Sequence, residues 1–205
     1  EVARERDYYR QREVVELAAL VRCTLEPTDT LALLTVLRSD VVGVPDAALI
    51  PLWRHGLAER MAELDGEEPR SLQRARAVVR AAMPEVPDGI PGLDRLPHWP
   101  DALEAALETV AALRQSFHTD PPDRFVERLR TVWLAEATAA ARYLGRHRLA
   151  RLGAFHAALG QLLVERGGSR SEIARFLRRA VERGQESREP TAAELEADAV
   201  KVMTI

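Results

Sequence analysis

Apolar residues recur at helical spacing along most of this chain, and few stretches of it suit a sheet. From Arg12 to Leu25 they stand at 14, 17, 18, 21 and 25, one stripe of a 3.6-residue period. The stripe stops at Pro27, and Thr28 or Asp29 can cap a second helix carrying Leu31, Leu34 and Leu37 to about Ser39. Gly43 and Pro45 break the chain. Short helices over 46–55 and 57–64, closed by Gly56 and Gly66, precede a longer one from Ser71 to Met83. Pro84, Pro87, Pro91, Pro97 and Pro100, with Gly89 and Gly92, make 84–100 a loop or extended connector.

Helical spacing resumes over 101–117, with Leu103, Ala106, Leu107, Val110 and Leu113 on one face. Asp120-Pro121 opens a long helix through Phe125, Leu129, Val132 and Trp133 toward Gly145, since Pro suits a first turn. Another helix, from about Arg148 to Arg166, stops at Gly167-Gly168. The clearest local signal is Ser169-Arg170-Ser171-Glu172, a capping box in which Ser169 and Glu172 satisfy two orphan amides reciprocally. After it, Ile173, Phe176, Leu177, Ala180 and Val181 form one stripe, with Arg175, Arg178 and Arg179 on the other side and Gly184 at the C-cap. With 5% aromatic residues and 46% hydrophobic, the expected class is all-α, a multi-helix domain. Short strands are expected only at the two termini, at Glu1-Val2-Ala3 and at the alternating Val200, Val202 and Ile205.

Charge is distributed unevenly. The net charge of −3 argues against a chain that binds polyanions over its whole surface. Between Arg142 and Arg183, however, ten Arg face three acids (Glu165, Glu172, Glu182), a balance of +7. From Gly184 to Ala199 the sign reverses, with Glu186, Glu189, Glu194, Glu196 and Asp198 against Arg188. Lys201 is the single lysine among 29 basic residues, a bias that a GC-rich genome also produces. Cys23 is alone and in a helical context, which predicts a buried thiol and excludes a disulfide framework. No apolar run approaches the roughly 18 residues of a membrane span, no signal peptide opens the chain, and a cytoplasmic parent with no membrane partner is expected.

Common catalytic signatures do not occur: no phosphate-cradling loop, dinucleotide fingerprint, zinc-protease motif or nucleophile elbow. His55, His98, His118, His147 and His156 show no ligand spacing, so neither a metal nor a catalytic set is expected. Glu13 and Glu16, three apart, have the spacing of an acid–base pair, but carboxylates in a first helical turn more often complement the dipole. Arg146, Arg148, Arg151, Arg175, Arg178 and Arg179 have the spacing to meet phosphates across a groove, with Tyr143 nearby to stack. The competing explanation is a solvated amphipathic face, and because aromatics near this region are few and Phe176 belongs to the apolar stripe, a base-stacking platform is not expected.

The ends of the chain carry a resemblance. Asp198-Ala199-Val200-Lys201-Val202-Met203-Thr204-Ile205 resembles the start of motif V in UvrD-like superfamily 1 helicases. Asp7-Tyr8-Tyr9-Arg10-Gln11-Arg12-Glu13-Val14-Val15-Glu16 is similar to that family's two aromatics followed by Glu-Ile-x-Asp. Leu20-Val21-Arg22, Pro27-Thr28-Asp29 and Val36-Leu37-Arg38-Ser39 resemble the stretch that leaves subdomain 2A, and Gly43-Val44-Pro45-Asp46 looks closest to the AddA or RecB-like branch of ATP-dependent exonuclease subunits. Tyr143-Leu144-Gly145, Leu152, Gly167-Gly168-Ser169 and Ala174-Arg175-Phe176-Leu177 resemble the end of an AddA-type 2B insertion. Arg4-Glu5 stand where the family has a Gly-Gly turn, and residues 47–135 carry little of the likeness.

The resemblance implies that 1–42 and 196–205 belong to the RecA-like lobe 2A and that 43–195 form a helical, 2B-like accessory domain. It implies a parent that hydrolyses ATP with Mg, its ATP-site motifs outside this sequence, so the fragment itself needs no cofactor and is inactive alone. It assigns Thr204 to the DNA backbone. The expected function is contact with DNA, at single-stranded/duplex junctions, and control of unwinding in repair. A helical module docking a partner subunit of an exonuclease complex, without DNA, is the alternative, and a free-standing small-molecule enzyme comes third.

Overall fold

A computed structural model describes residues 8–87 and 98–183. Its centre is α1 (Arg12–Leu25), in which ten of fourteen residues are buried, far more than a one-stripe surface helix needs. The side chains of Leu17 and Leu20 are buried outright, each contributing about 1.5–3 kcal/mol of transfer free energy. Around α1 pack α2 (Thr30–Leu37), α6 (Trp99–Thr119), α8 (Ala135–Ala140), α9 (Gly145–Glu165) and α10 (Arg170–Arg183). An outer layer of α3 (Asp46–Arg54), α4 (Leu57–Ala62) and α5 (Pro69–Ala82) reaches the centre through α6, and α7 (Pro122–Val132) bridges α6 and α9. One apolar core runs through all of them, from Tyr8 to Ala180, and it is continuous across residues 42 and 43.

The described residues are helical and contain no strand, which fits the all-α expectation. The strands expected at 1–3 and 200–205, and Thr204 with them, lie outside the described residues.

Asp29 is the residue that caps α2, its carboxylate accepting from the Ala32 N–H at 3.0 Å. That cap and the Arg22–Asp29 pair set the rotation of α2, which buries Ala32, Leu33, Val36 and Leu37. Leu31, expected on the inner stripe, is therefore 64% exposed. The helix expected from Ser71 starts earlier, with Pro69 in its first turn. Ser71 is instead buried, accepting from the Asp65 N–H and donating to the carbonyls of Asp65 and Glu68.

The largest departure is between Pro121 and Arg148. One long helix is expected there, but the chain turns twice. Trp133 turns inward and is buried, and Leu134 takes a left-handed conformation (φ 54°) ahead of α8. Leu144 (φ 60°) then does the same ahead of α9, which begins at Gly145 rather than Arg148. A Cβ at residue 145 would lie 2.6 Å from the Ala140 carbonyl oxygen, so the tight α8–α9 passage requires glycine there. At the other end of α9, Ser169 occupies the N-cap position of α10, its carbonyl accepting from Ile173 N–H at 3.1 Å, while Glu172 lies 3.7 Å from Arg166.

Arg114 on α6 joins three elements. Nη1 donates to the carbonyls of Met61 (2.6 Å) and Leu64 (2.7 Å) and Nη2 to that of Cys23 (3.0 Å). These carbonyls belong to helix ends, or the residues just past them, where intrahelical donors run out; that of Met61 also accepts from the Leu64 N–H at 3.3 Å. The guanidinium is buried, which lowers its pKa, though it still carries its charge.

Candidate nucleic-acid interface

The basic stretch from Arg142 to Arg183 divides in the folded chain into two sets with different chemistry. The first set is spent on carboxylates of the α1 region. Glu13 accepts from Arg151 Nη1 at 2.9 Å and from Arg148 Nη1 at 3.5 Å, with its side chain 9% exposed. Arg178 reaches Glu26 at 2.6 Å and Asp29 at 3.0 Å. Asp29 also accepts from Arg22, through Nη2 at 2.6 Å and Nε at 3.0 Å. Burial alone would raise the pKa of Asp29, but the Ala32 amide and the guanidinium groups of Arg178 and Arg22 outweigh it and hold the carboxyl below its ordinary value. Arg142 meets Asp40 at 2.7 Å. Arg148, Arg151 and Arg178 thus fasten α9 and α10 to α1 and the α1–α2 turn.

The second set faces solvent. Arg146, Arg175 and Arg179 are exposed, and none forms an ion pair with another described residue. Arg175 and Arg179 are one turn apart on α10 and so share a face. Arg146 opens α9 beside Tyr143, which is 86% exposed, and Leu144, 51% exposed. Val132, Leu134, Tyr143 and Leu144 are four of the seven large apolar side chains exposed among the described residues, so this apolar surface concentrates on the α7–α9 connection.

Behind that connection lies a small charged cavity of about 20 Å³, room for a single water. Glu13, Glu16, Asp40, Trp133, Arg142 and Arg148 are among its walls. Glu16 is bound by Arg12 Nε at 2.8 Å and by the Asp40 N–H at 3.4 Å, yet burial and the neighbouring Asp40 raise its pKa. Glu13 and Glu16 both line this cavity, but each carboxylate is already bound by a different arginine, Arg151 and Arg12. A second, larger space of about 240 Å³ opens between α9 and α10, walled by Tyr9, Phe155, Leu159, Leu162, Phe176 and Leu177.

Cys23 is buried near the end of α1, and desolvation pushes its thiol up to about 11, which excludes a reactive thiolate near neutral pH. Among the described residues no group of three or more His, Cys, Asp and Glu is placed to hold a metal ion, and no helix is long and apolar enough to cross a membrane. Sequence reasoning missed the acidic partners Glu13, Glu26, Asp29 and Asp40. Their helix-start and turn positions were visible, but their pairing across more than a hundred residues carries no local signal. No protein-family model matches the chain, and no curated protein matches it.

Proposed function

We propose that this chain is a helical accessory module of a UvrD- or AddA-like DNA helicase, and that it touches the phosphate backbone through Arg146, Arg175 and Arg179. The observation that carries the reading is the pair Arg175 and Arg179, two neighbouring guanidinium groups held on one helix face that form no ion pair with another described residue. Arginines of this kind bind phosphate with counterion release, so affinity depends steeply on salt. Arg148, Arg151 and Arg178 support the surface by bracing the two helices that bear it. Thr204 would add a backbone contact from the motif V side, and ATP with Mg would be handled elsewhere in the parent protein.

Fluorescence anisotropy with a forked duplex, at low and moderate salt, tests this. The wild-type chain is expected to bind at low salt and to release as salt rises, and R146E/R175E/R179E to lose most of that affinity with its fold intact. Unchanged binding by the triple variant would sink the assignment.

The alternative, docking of a partner subunit, is favoured by one observation, the space of about 240 Å³ between α9 and α10, where Phe155, Leu159 and Phe176 are joined by the polar Gln161, Glu165 and Arg166. Capture of a partner that F176A abolishes, with no salt-sensitive DNA binding, would establish that reading instead.

A further inference from the structure

Tyr143 stands out as an aromatic ring presented rather than packed. It is 86% exposed, and its ring meets no other described ring. Its backbone, in contrast, is fixed. Arg148 Nε donates to the Tyr143 carbonyl at 3.2 Å, and the same guanidinium reaches Glu13 on α1 through Nη1. On one side Arg142 is tied to Asp40 at 2.7 Å, and on the other Leu144 is held at φ 60°, a conformation that costs a leucine about 1–2 kcal/mol. The close α8–α9 passage imposes that conformation, and it leaves Tyr143 and Leu144 exposed to solvent on a backbone fixed from both sides.

Taken with the proposed DNA contact, on which this inference rests, we propose that Tyr143 is a stacking residue for an unpaired or terminal nucleobase, with Arg146 on the adjoining phosphate and Arg148 as the positioning residue. Size and charge both point to this ligand. A stable protein interface needs on the order of 800 Å² per partner, far beyond the four apolar side chains Val132, Leu134, Tyr143 and Leu144 exposed on this connection. Anchoring on a lipid surface needs a broad apolar face with clustered cations. A single base and its phosphate match one exposed ring followed three residues later by an exposed guanidinium that forms no ion pair with another described residue. Every base has a π-face, so the contact is indifferent to sequence and recognises an unstacked position. Holding the Tyr143 backbone in place before binding lowers the ordering cost of the contact.

The test uses the full chain and a forked oligonucleotide carrying 2-aminopurine at the junction, read by emission and by anisotropy across a salt series. Wild type and Y143F are expected to change the emission on binding. Y143A should bind about 5- to 100-fold more weakly, the value of one lost stack, with no emission change. R175E/R179E should weaken binding yet keep the emission change at saturation. R148M should reduce that change while leaving the salt dependence as it was, because a positioning residue releases no counterions; a shallower salt dependence would make Arg148 a phosphate contact and overturn its assigned role. Wild-type affinity and emission in Y143A, with R175E/R179E impaired, would overturn the stacking role and leave the phosphate-contact reading standing. If the wild-type chain bound no oligonucleotide at low salt, both would fall. Binding only to phosphatidylserine vesicles, lost in Y143A, would likewise overturn the stack and assign the tip to lipid.

Discussion

Arg178 and Asp29, 149 residues apart, meet at 3.0 Å, and through that contact the last described helix is fastened to the turn between the first two long ones. Asp29 simultaneously caps α2 and neutralises Arg22, so one carboxylate serves a helix end, a buried cation and a distant helix. Removing it leaves Arg22, 5% exposed, without a counter-charge.

Asp29→Ala is therefore expected to cost about 3–5 kcal/mol, the usual penalty for breaking a buried pair from one side. Asp29→Asn, which keeps an acceptor for Ala32, should cost less. Urea denaturation of both variants gives the comparison. Because the folded carboxyl lies below its ordinary value, its contribution is present above the unfolded value near 4 and is lost as pH falls through the folded one. The acid limb of the stability curve should flatten in both variants.

Arg114→Ala leaves the carbonyls of Leu64 and Cys23 without their donor, while that of Met61 keeps the Leu64 N–H. At about 1–3 kcal/mol for each unmet buried group, a loss of roughly 2 kcal/mol or more is expected. The same substitution loosens the cover over Cys23. The wild-type thiol should resist an aromatic disulfide reagent at pH 8, and R114A should react measurably faster. Equal reaction rates would show that the three-carbonyl clamp does not govern opening at this point.

His156 gives a second pH dependence of the same sign in a higher pH window. It is buried on α9, neither ring nitrogen has a hydrogen-bond partner, and Glu136 lies 3.8 Å away. Desolvation lowers its pKa, against the attraction of Glu136. Below about pH 6.5 the unfolded chain takes up the proton before the folded one does, so stability falls on acidification through that region and levels off below the folded value. His156→Leu should remove this slope between pH 7 and 5, as read from urea midpoints; a slope that persists would place its origin elsewhere.

Leu144→Gly should stabilise the fold slightly. Relief of the left-handed leucine returns about 1–2 kcal/mol, and the extra freedom of glycine in the unfolded chain takes back about 0.5–1. A net gain of about 0.5–1 kcal/mol in thermal unfolding is expected, together with weaker nucleobase stacking at Tyr143 because its support is looser. Destabilisation by L144G would mean that the leucine side chain packs more than its 51% exposure suggests.

Stripes and punctuation made the helical content readable from the sequence. Pro27, Asp29, Gly56 and Ser169 all stand at helix boundaries, because caps and breakers act within a few residues. The breaks at Leu134 and Leu144 were not readable, since leucine carries no turn signal and it is the burial of Trp133 and the close α8–α9 passage that impose them. The arginines behaved the same way. Spacing put six of them on exposed helix faces, yet Arg148, Arg151 and Arg178 are taken by acids brought close only by tertiary packing. Charge composition can nominate a surface, but long-range pairing decides how much of it remains open.

The position of α1 has a consequence for how the chain comes into being. Its walls are supplied by α2 almost at once, but by α6, α9 and α10 only after some 75 to 160 further residues. During synthesis the most buried of the described helices therefore emerges well before most of its cover. The nascent chain must shelter α1 in a provisional packing, or with a chaperone, until α10 has left the ribosome and the core can close around it.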